Sequence, residues 1–416
     1  MSTTAEPVKP YDLVLWGATS FVGRLVAEYL VRRGPRELRW ALGGRDRARL
    51  EAVRAELVRS SPQAAELDLL VGDSFDRASL DAITSRAAVV CTTVGPYAKY
   101  GSELVASCVA NGADYCDLTG EVQWIRRMID AHDDEARRRG VRIVCCCGFD
   151  SIPSDLGTLV LQDAARARHG RPCDLVSLYV KKASGGFSGG TVASMLNLVE
   201  EARDREVRRV LAEPYALNPP GEREGPDPRD EVGVTYDGDI EAWTGPFLMA
   251  PVNTRVVRRS NALLGYPYGR GFRYRERMRV GPGLRGRLGA LAFVAGLGAF
   301  LGAVSVPPLR RLLEKTLLPA PGEGPSPERI ERGFFVIELV GHFDDDQGPP
   351  PVRVTVRGRR DPGYGATAAM LSEAALCLAL DKDRLTSPGG VLTPASAMGE
   401  ALVERLNASD VTFEVQ

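Results

Sequence analysis

The run Gly17-Ala18-Thr19-Ser20-Phe21-Val22-Gly23 has the residue types and spacing for phosphate chemistry. Gly17 and Gly23 occupy the outer glycine places of a dinucleotide fingerprint. The first allows a tight turn with close approach to a pyrophosphate, and the last allows close helix-to-sheet packing. Ser20 stands where a middle glycine often sits. Arg45 follows Gly43-Gly44, at the place where NAD-binding folds usually put a carboxylate for the ribose 2′-hydroxyl. A guanidinium there can pair bidentately with a 2′-phosphate, which selects NADP. The plainer reading leaves Arg45 on a solvated loop. Thr93-Val94-Gly95-Pro96-Tyr97 falls where it would border a nicotinamide, with Lys99 close behind. Tyr97 or Lys99 is therefore a candidate to donate a proton or steady a developing negative charge, though either could simply line a cleft. Asp117-Leu118-Thr119-Gly120-Glu121 and Gly148-Phe149-Asp150-Ser151-Ile152-Pro153-Ser154-Asp155 bring carboxylates and hydroxyls to the same rim. Thr119, Ser151 and Ser154 also serve as helix caps on the simpler account.

Regular elements must place these groups. Leu13, Val14 and Leu15 suit a buried parallel strand, while Val22, Leu25, Val26, Tyr29 and Leu30 recur on one helical face. Further strands are expected at 38–42, 69–72, 88–93, 115–118 and 141–147, alternating with helices. That alternation predicts an α/β fold, a Rossmann-type doubly wound parallel sheet over residues 1–155. One of its helices turns Val122, Ile125, Met128 and Ile129 inward and Arg126, Asp130 and Asp133 to water. Beyond a helix at 151–168 the pattern changes to a strand at 174–182, a helix at 191–209 and a Pro/Gly-rich, acidic connection at 213–239. Half-buried antiparallel strands are expected at 334–343 and 352–359. Residues 156–360 thus read as a second α+β domain supplying most of the substrate pocket. Residues 361–416 read as C-terminal helices, at 366–380 and 395–406, packing back on the first domain.

The chain has 416 residues and a formal charge of −1, which suits two domains and offers no basic face for nucleic acid. The N-terminus shows no charged stretch followed by an apolar signal core, so a cytoplasmic enzyme is expected. Cys145, Cys146 and Cys147 are consecutive, and neighbours on a strand point to opposite faces, so they cannot close on one metal. No zinc spacing is present, and no metal is expected. Residues 288–309 carry no charge and are flanked by Arg285, Arg287, Arg310 and Arg311. The segment can be a lipid-facing or interfacial helix, a core helix or a span. Its glycines and the Pro307-Pro308 stop weigh against the span.

Taken with Ser188-Gly189-Gly190-Thr191 and the stretch from Gly389 to Ala395, these motifs resemble the saccharopine dehydrogenase-like oxidoreductases, in particular the trans-acting enoyl reductase branch from actinobacteria. The resemblance covers nearly the whole chain. It implies NADP-dependent saturation of a carbon–carbon double bond in a polyketide-derived or other lipid substrate, in trans to the synthase that made it. Such chemistry needs a hydride at the β-carbon, a donor for the enolate oxygen and a proton for the α-carbon. Tyr97 is the first candidate for the donor, and Asp150 or Ser151 for positioning. The apolar segment fits a membrane-soluble substrate, with peripheral docking on the inner face of the cell membrane; a homodimer is left open.

Three other readings compete. A saccharopine-type enzyme would act at a C–N bond and call for a cluster of arginines in the second domain. Gly186-Phe187-Ser188-Gly189-Gly190 matches a nucleophile elbow, with only His342 downstream as base. A non-catalytic NADP-binding scaffold would keep the glycine bend without turnover.

Overall fold

A computed structural model describes residues 9–416 except 186–188, 228, 307, 311–312, 314–323, 346 and 386, with backbone alone for 189–193. Two seven-stranded sheets organise the chain. The first is built from β1 (Tyr11–Trp16), β2 (Trp40–Gly44), β3 (Asp68–Val71), β4 (Ala87–Thr92), β5 (Asp114–Cys116), β6 (Arg142–Val144) and a late strand, β13 (Gly390–Leu392). Its order is β13, β6, β5, β4, β1, β2, β3, and every pairing is parallel. Leu13, Val14 and Leu15 of β1 are fully buried, as a strand covered by helices on both faces requires. Each such side chain contributes roughly 1.5–3 kcal/mol relative to exposure.

The second sheet contains β7 (Leu175–Ser184), β8 (Thr235–Asp237), β9 (Ala242–Pro246), β10 (Arg273–Gly281), β11 (Phe334–His342), β12 (Val352–Gly358) and β14 (Val411–Val415). Its order is β14, β12, β11, β7, β10, β9, β8, with β7 and β10 parallel and the other pairs antiparallel. The Ile152–His169 helix leaves the first sheet and crosses beneath the second, where Gly157 lets it approach closely: a Cβ there would sit 3.0 Å from Leu339. Asp155 of this helix accepts hydrogen bonds from Ser260 and from the amide of Ala395. It pins the Ala250–Leu263 helix and the C-terminal stretch to one point.

Several elements differ from the sequence reading. β6 ends at Val144, and Cys146 takes a left-handed φ of 66°, so Cys145, Cys146 and Cys147 lie past the strand in irregular backbone. All three thiols are buried, and burial pushes their pKa values up. The helix expected at 191–209 is two, Gly189–Glu201 and Arg205–Ala212, because Asp204 caps the second through the amide of Glu206 at 2.7 Å. Arg126 does not face water: it is buried and donates to the carbonyls of Ala216 and Asn218. The C-terminal stretch is more than a set of helices, since it supplies β13 to one sheet and β14 to the other. Its Thr367–Leu380 helix is almost wholly buried against β1, β4 and β5.

Candidate active site

The chain runs outward from β1 through β2 to β3, then returns to the other side of β1 as β4. That reversal leaves a crevice at the carboxyl ends of β1 and β4, where open α/β sheets take their ligands. Gly17 opens the bend there with a φ of 88°. A Cβ on Gly17 would lie 2.5 Å from Val94 Cγ2 and 2.9 Å from Thr93 Oγ1, and one on Gly23 would lie 2.2 Å from the carbonyl oxygen of Gly17. Neither position has room for a side chain: Gly17 is closed by the β4 loop and Gly23 by the bend itself.

Ser20 has a structural duty in place of the middle glycine. Its Oγ accepts the amide of Gly23 at 2.9 Å and caps the Phe21–Arg33 helix. The same Oγ lies 2.9 Å from Thr93 Oγ1, which donates to the Gly17 carbonyl at 3.0 Å. Bend and β4 loop are therefore tied together. Ala18 is buried and donates its amide back to Gly43. Among the described residues the amides of Thr19, Phe21 and Val22 have no partner, so the first turn of the helix offers N–H groups and its positive dipole end to an anion. A pyrophosphate fits this cradle. Phe21 packs its ring edge-on against Tyr364, 5.0 Å between centroids.

Arg45 leaves the end of β2 exposed, and among the described residues it forms no ion pair or hydrogen bond. Its neighbours are engaged elsewhere: Asp46 caps the Arg47–Ser60 helix and Arg47 pairs with Glu51.

The β4 loop corrects one assignment. Tyr97 is buried, its ring tilted against Trp124 at 5.6 Å, and its hydroxyl donates to the Thr92 carbonyl at 3.2 Å while accepting from the Leu118 amide at 3.4 Å. Burial raises its phenol pKa well above the usual value. A phenol spent on backbone groups inside the core does not face a substrate, so Tyr97 braces the loop and is not its proton donor. Lys99, two residues on, is exposed and free of ion pairs among the described residues. Gly95 is exposed and Val94 and Pro96 half-buried, which leaves this loop lining the crevice.

Glu121, at the end of the β5 loop, organises the site from behind. It is buried and accepts the amides of Tyr97 at 2.8 Å and Ala98 at 2.9 Å, and the hydroxyl of Ser194 at 2.8 Å. Asp117 holds the next crossing by accepting the amides of Thr119 and Cys146, and burial pushes its pKa up to about 7.

After β6, Asp150 is half-buried, and no hydrogen bond or ion pair reaches its carboxylate among the described residues. Burial raises its pKa to about 6. Ser151 is fully buried and donates to Asn253 Oδ1 at 2.9 Å. Asn253 in turn donates to Glu276 at 2.9 Å, and Tyr274 donates to the other oxygen of Glu276 at 2.7 Å. Desolvation lifts Glu276 to about 7. Asn253 and Glu276 carry no sequence signal, whereas Glu121 stood in a motif that ends a strand. Ser188, the nucleophile of the rival hydrolase reading, lies outside the described residues. His342 sits 2.8 Å from Asp239 at the end of β11.

A glycine bend at the switch point of a parallel sheet, with an empty-handed cation at the next strand, defines a nicotinamide-dinucleotide oxidoreductase. Residues 13–144 match the saccharopine dehydrogenase NADP-binding domain. A Mycobacterium tuberculosis chain provisionally named a trans-acting enoyl reductase is 44% identical over 432 aligned residues, covering 99% of this chain and 98% of its own. A trans-acting enoyl reductase from Mycobacterium leprae is 39% identical over 419 residues, covering 97% of each chain. Apo saccharopine dehydrogenase (L-Glu forming) from Saccharomyces cerevisiae shares the fold, with a TM-score of 0.56 at 13% identity over 97% of this chain and 99% of its own. The chain belongs to the trans-acting enoyl reductase family of the saccharopine dehydrogenase-like, NADP-dependent oxidoreductases.

Proposed function

We propose that this enzyme binds NADPH through Arg45 and saturates the α,β double bond of a polyketide-derived or other lipid acyl chain, in trans to the synthase that builds it. The observation that carries the cofactor choice is the unpaired, exposed Arg45 at the carboxyl end of β2. When bound, the reduced nicotinamide supplies the hydride that goes to the β-carbon. The electron pair of the double bond moves to the acyl carbonyl oxygen, and a proton then arrives at the α-carbon. Lys99 steadies the negative charge on that oxygen. Asp150, with a pKa of about 6, gives the proton and regains it from solvent. Ser151, whose hydroxyl is committed to Asn253, orients this corner instead of donating.

The C–N reading finds less support. A cavity of about 180 Å³ in the second half is lined by Arg229, Arg258, Arg273 and Arg275. Three of these four cations meet the chain's own acids: Arg258 lies 2.6 Å from Asp227, Arg275 lies 3.9 Å from Glu231, and Arg273 pairs with Asp344. Little uncompensated charge is left for a substrate with several carboxylates.

The test is NADPH oxidation with an α,β-unsaturated acyl thioester and, separately, NADP+ reduction with saccharopine, an amine that can only give up hydride, the product read by mass spectrometry. Arg45→Ala is expected to weaken NADPH roughly 10- to 100-fold, the loss of one charge-assisted pair, and to leave NADH nearly unchanged. Equal weakening of both nucleotides removes Arg45 from the 2′-phosphate. Turnover of saccharopine alone overturns the lipid substrate.

A further inference from the structure

Two helices are long and apolar enough to cross a membrane among the described residues, and they have opposite surroundings. The apolar window ending at Leu380 is 83% buried and belongs to the core, whereas that of the Gly283–Ser305 helix is 11% buried. Leu284, Leu288 and Leu291 are 70%, 58% and 49% exposed. Ala295, Ala299 and Gly302 continue the same exposed stripe at helical spacing. An apolar face of this length is expensive to leave in water.

The other face of the helix is packed along its length. Phe293 lies against Gly245 of β9, where a Cβ would come within 3.0 Å of its ring, and Gly289 sits against Val280 of β10. Phe300 and Val304 meet Leu196 and Val199 of the Gly189–Glu201 helix. A helix held this way lies flat and cannot cross a bilayer without leaving the protein. Its length of roughly 35 Å, at ~1.5 Å per residue, then runs along a surface. Every charged residue from position 277 to 313 is an arginine. Arg285 and Arg287 are exposed beside the leucines, and the Arg287 guanidinium lies over the ring of Trp243 at 5.3 Å. Positive charge beside an apolar stripe complements one kind of partner: a leaflet with anionic headgroups.

We infer that the Gly283–Ser305 helix is a monotopic docking surface that buries its leucine stripe in the headgroup and acyl boundary of an anionic lipid leaflet. The inner face stays on the protein, and the arginines sit at headgroup level. The helix it packs on also carries Ser194, which donates to Glu121 behind the β4 loop, so the leaflet lies one helix away from the crevice. That the leaflet delivers the acyl substrate rests on the reduction reading above; the docking itself does not.

Flotation of the full chain with phosphatidylglycerol vesicles, and with phosphatidylcholine vesicles, tests this. The wild type is expected to float with the anionic vesicles and far less with the neutral ones. The pair Leu288→Glu and Leu291→Glu is expected to lower partitioning at least tenfold while NADPH titration stays unchanged, which certifies the fold. Arg285→Gln is expected to lower it about fivefold, the share of one juxtamembrane cation. Absence of flotation, or equal flotation of the double variant, overturns the inference. So does a wild-type dimer in solution that the double variant splits without any vesicle binding, since the face would then belong to a second copy. Failure to bind NADPH would instead strike the nucleotide reading and leave flotation untouched.

Discussion

The carboxylate of Glu121 receives the backbone amide of Tyr97 at 2.8 Å, so an acid at the end of the loop after β5 fixes the first turn after β4. Its second oxygen takes the next amide, that of Ala98, at 2.9 Å. Glu121→Gln keeps the volume but turns an NH2 group toward N–H donors. Stability is expected to fall by about 1–3 kcal/mol, the cost of an unsatisfied buried group. Turnover is expected to fall about tenfold or more, with NADPH affinity changed only a few-fold. A variant with wild-type turnover and melting temperature would falsify this bracing role.

Gly17→Ala should act on nucleotide binding more than on folding. The left-handed φ of 88° costs an L-residue about 1–2 kcal/mol, and the new Cβ must also push the Val94 side chain from 2.5 Å. NADPH affinity, followed by fluorescence titration, is expected to drop at least tenfold. Gly112→Ala is the control, because it shares a positive φ of 63° but meets nothing within 4 Å. It should lower the melting temperature without touching the titration.

Tyr97 and Lys99 make opposite predictions. Tyr97→Phe deletes a hydroxyl bonded to the Thr92 carbonyl and Leu118 amide, so a loss of about 0.5–1.5 kcal/mol in stability with near-normal turnover is expected. Lys99→Met removes an exposed cation and should leave stability alone while slowing turnover about tenfold or more. Kinetics and thermal melts on both variants separate the roles. The reverse pattern would return Tyr97 to the donor's place.

Glu276 gives a pH prediction. Its carboxyl titrates near 7 in the folded chain because burial disfavours the charged form, and near 4.3 when unfolded. Between those values the folded state holds the proton and the unfolded state does not, so the stability this group confers is complete below about 4 and is lost as pH rises through 7. Glu276→Gln cannot titrate. Its melting temperature should decline less between pH 5 and 8 than that of the wild type, by an amount corresponding to roughly 1–3 kcal/mol. Parallel curves would show that Glu276 does not set this slope.

The nucleotide half was readable because its central strands, such as β1 and β4, are buried on both faces and its turns are punctuated by glycine. The bend at Gly17 and the cation at Arg45 are local features, visible within a few residues. The second half hides its logic in long-range polar contacts. The Ala250–Leu263 helix turns Arg255, Arg258 and Arg259 inward, where they donate to carbonyls of Glu213, Pro214 and Leu217. The inward arginines interrupt the apolar stripe of this helix, and its Asn253 partners Ser151 across 102 positions. Tyr97 misled for the opposite reason: its place at a strand end is that of a catalytic group, but the direction of its ring is set by Trp124, which sequence spacing does not reveal.

The contribution of residues 390–392 to one sheet and 411–415 to the other has a consequence for how the molecule is made and cut. During synthesis the nucleotide half emerges with β6 as a raw edge and with no helix over the face that Thr367–Leu380 will cover. Its edge and its face are completed only when the tail arrives. Expressed alone, that half would carry an open strand and a bare apolar floor, a template for aggregation instead of a minimal nucleotide-binding module.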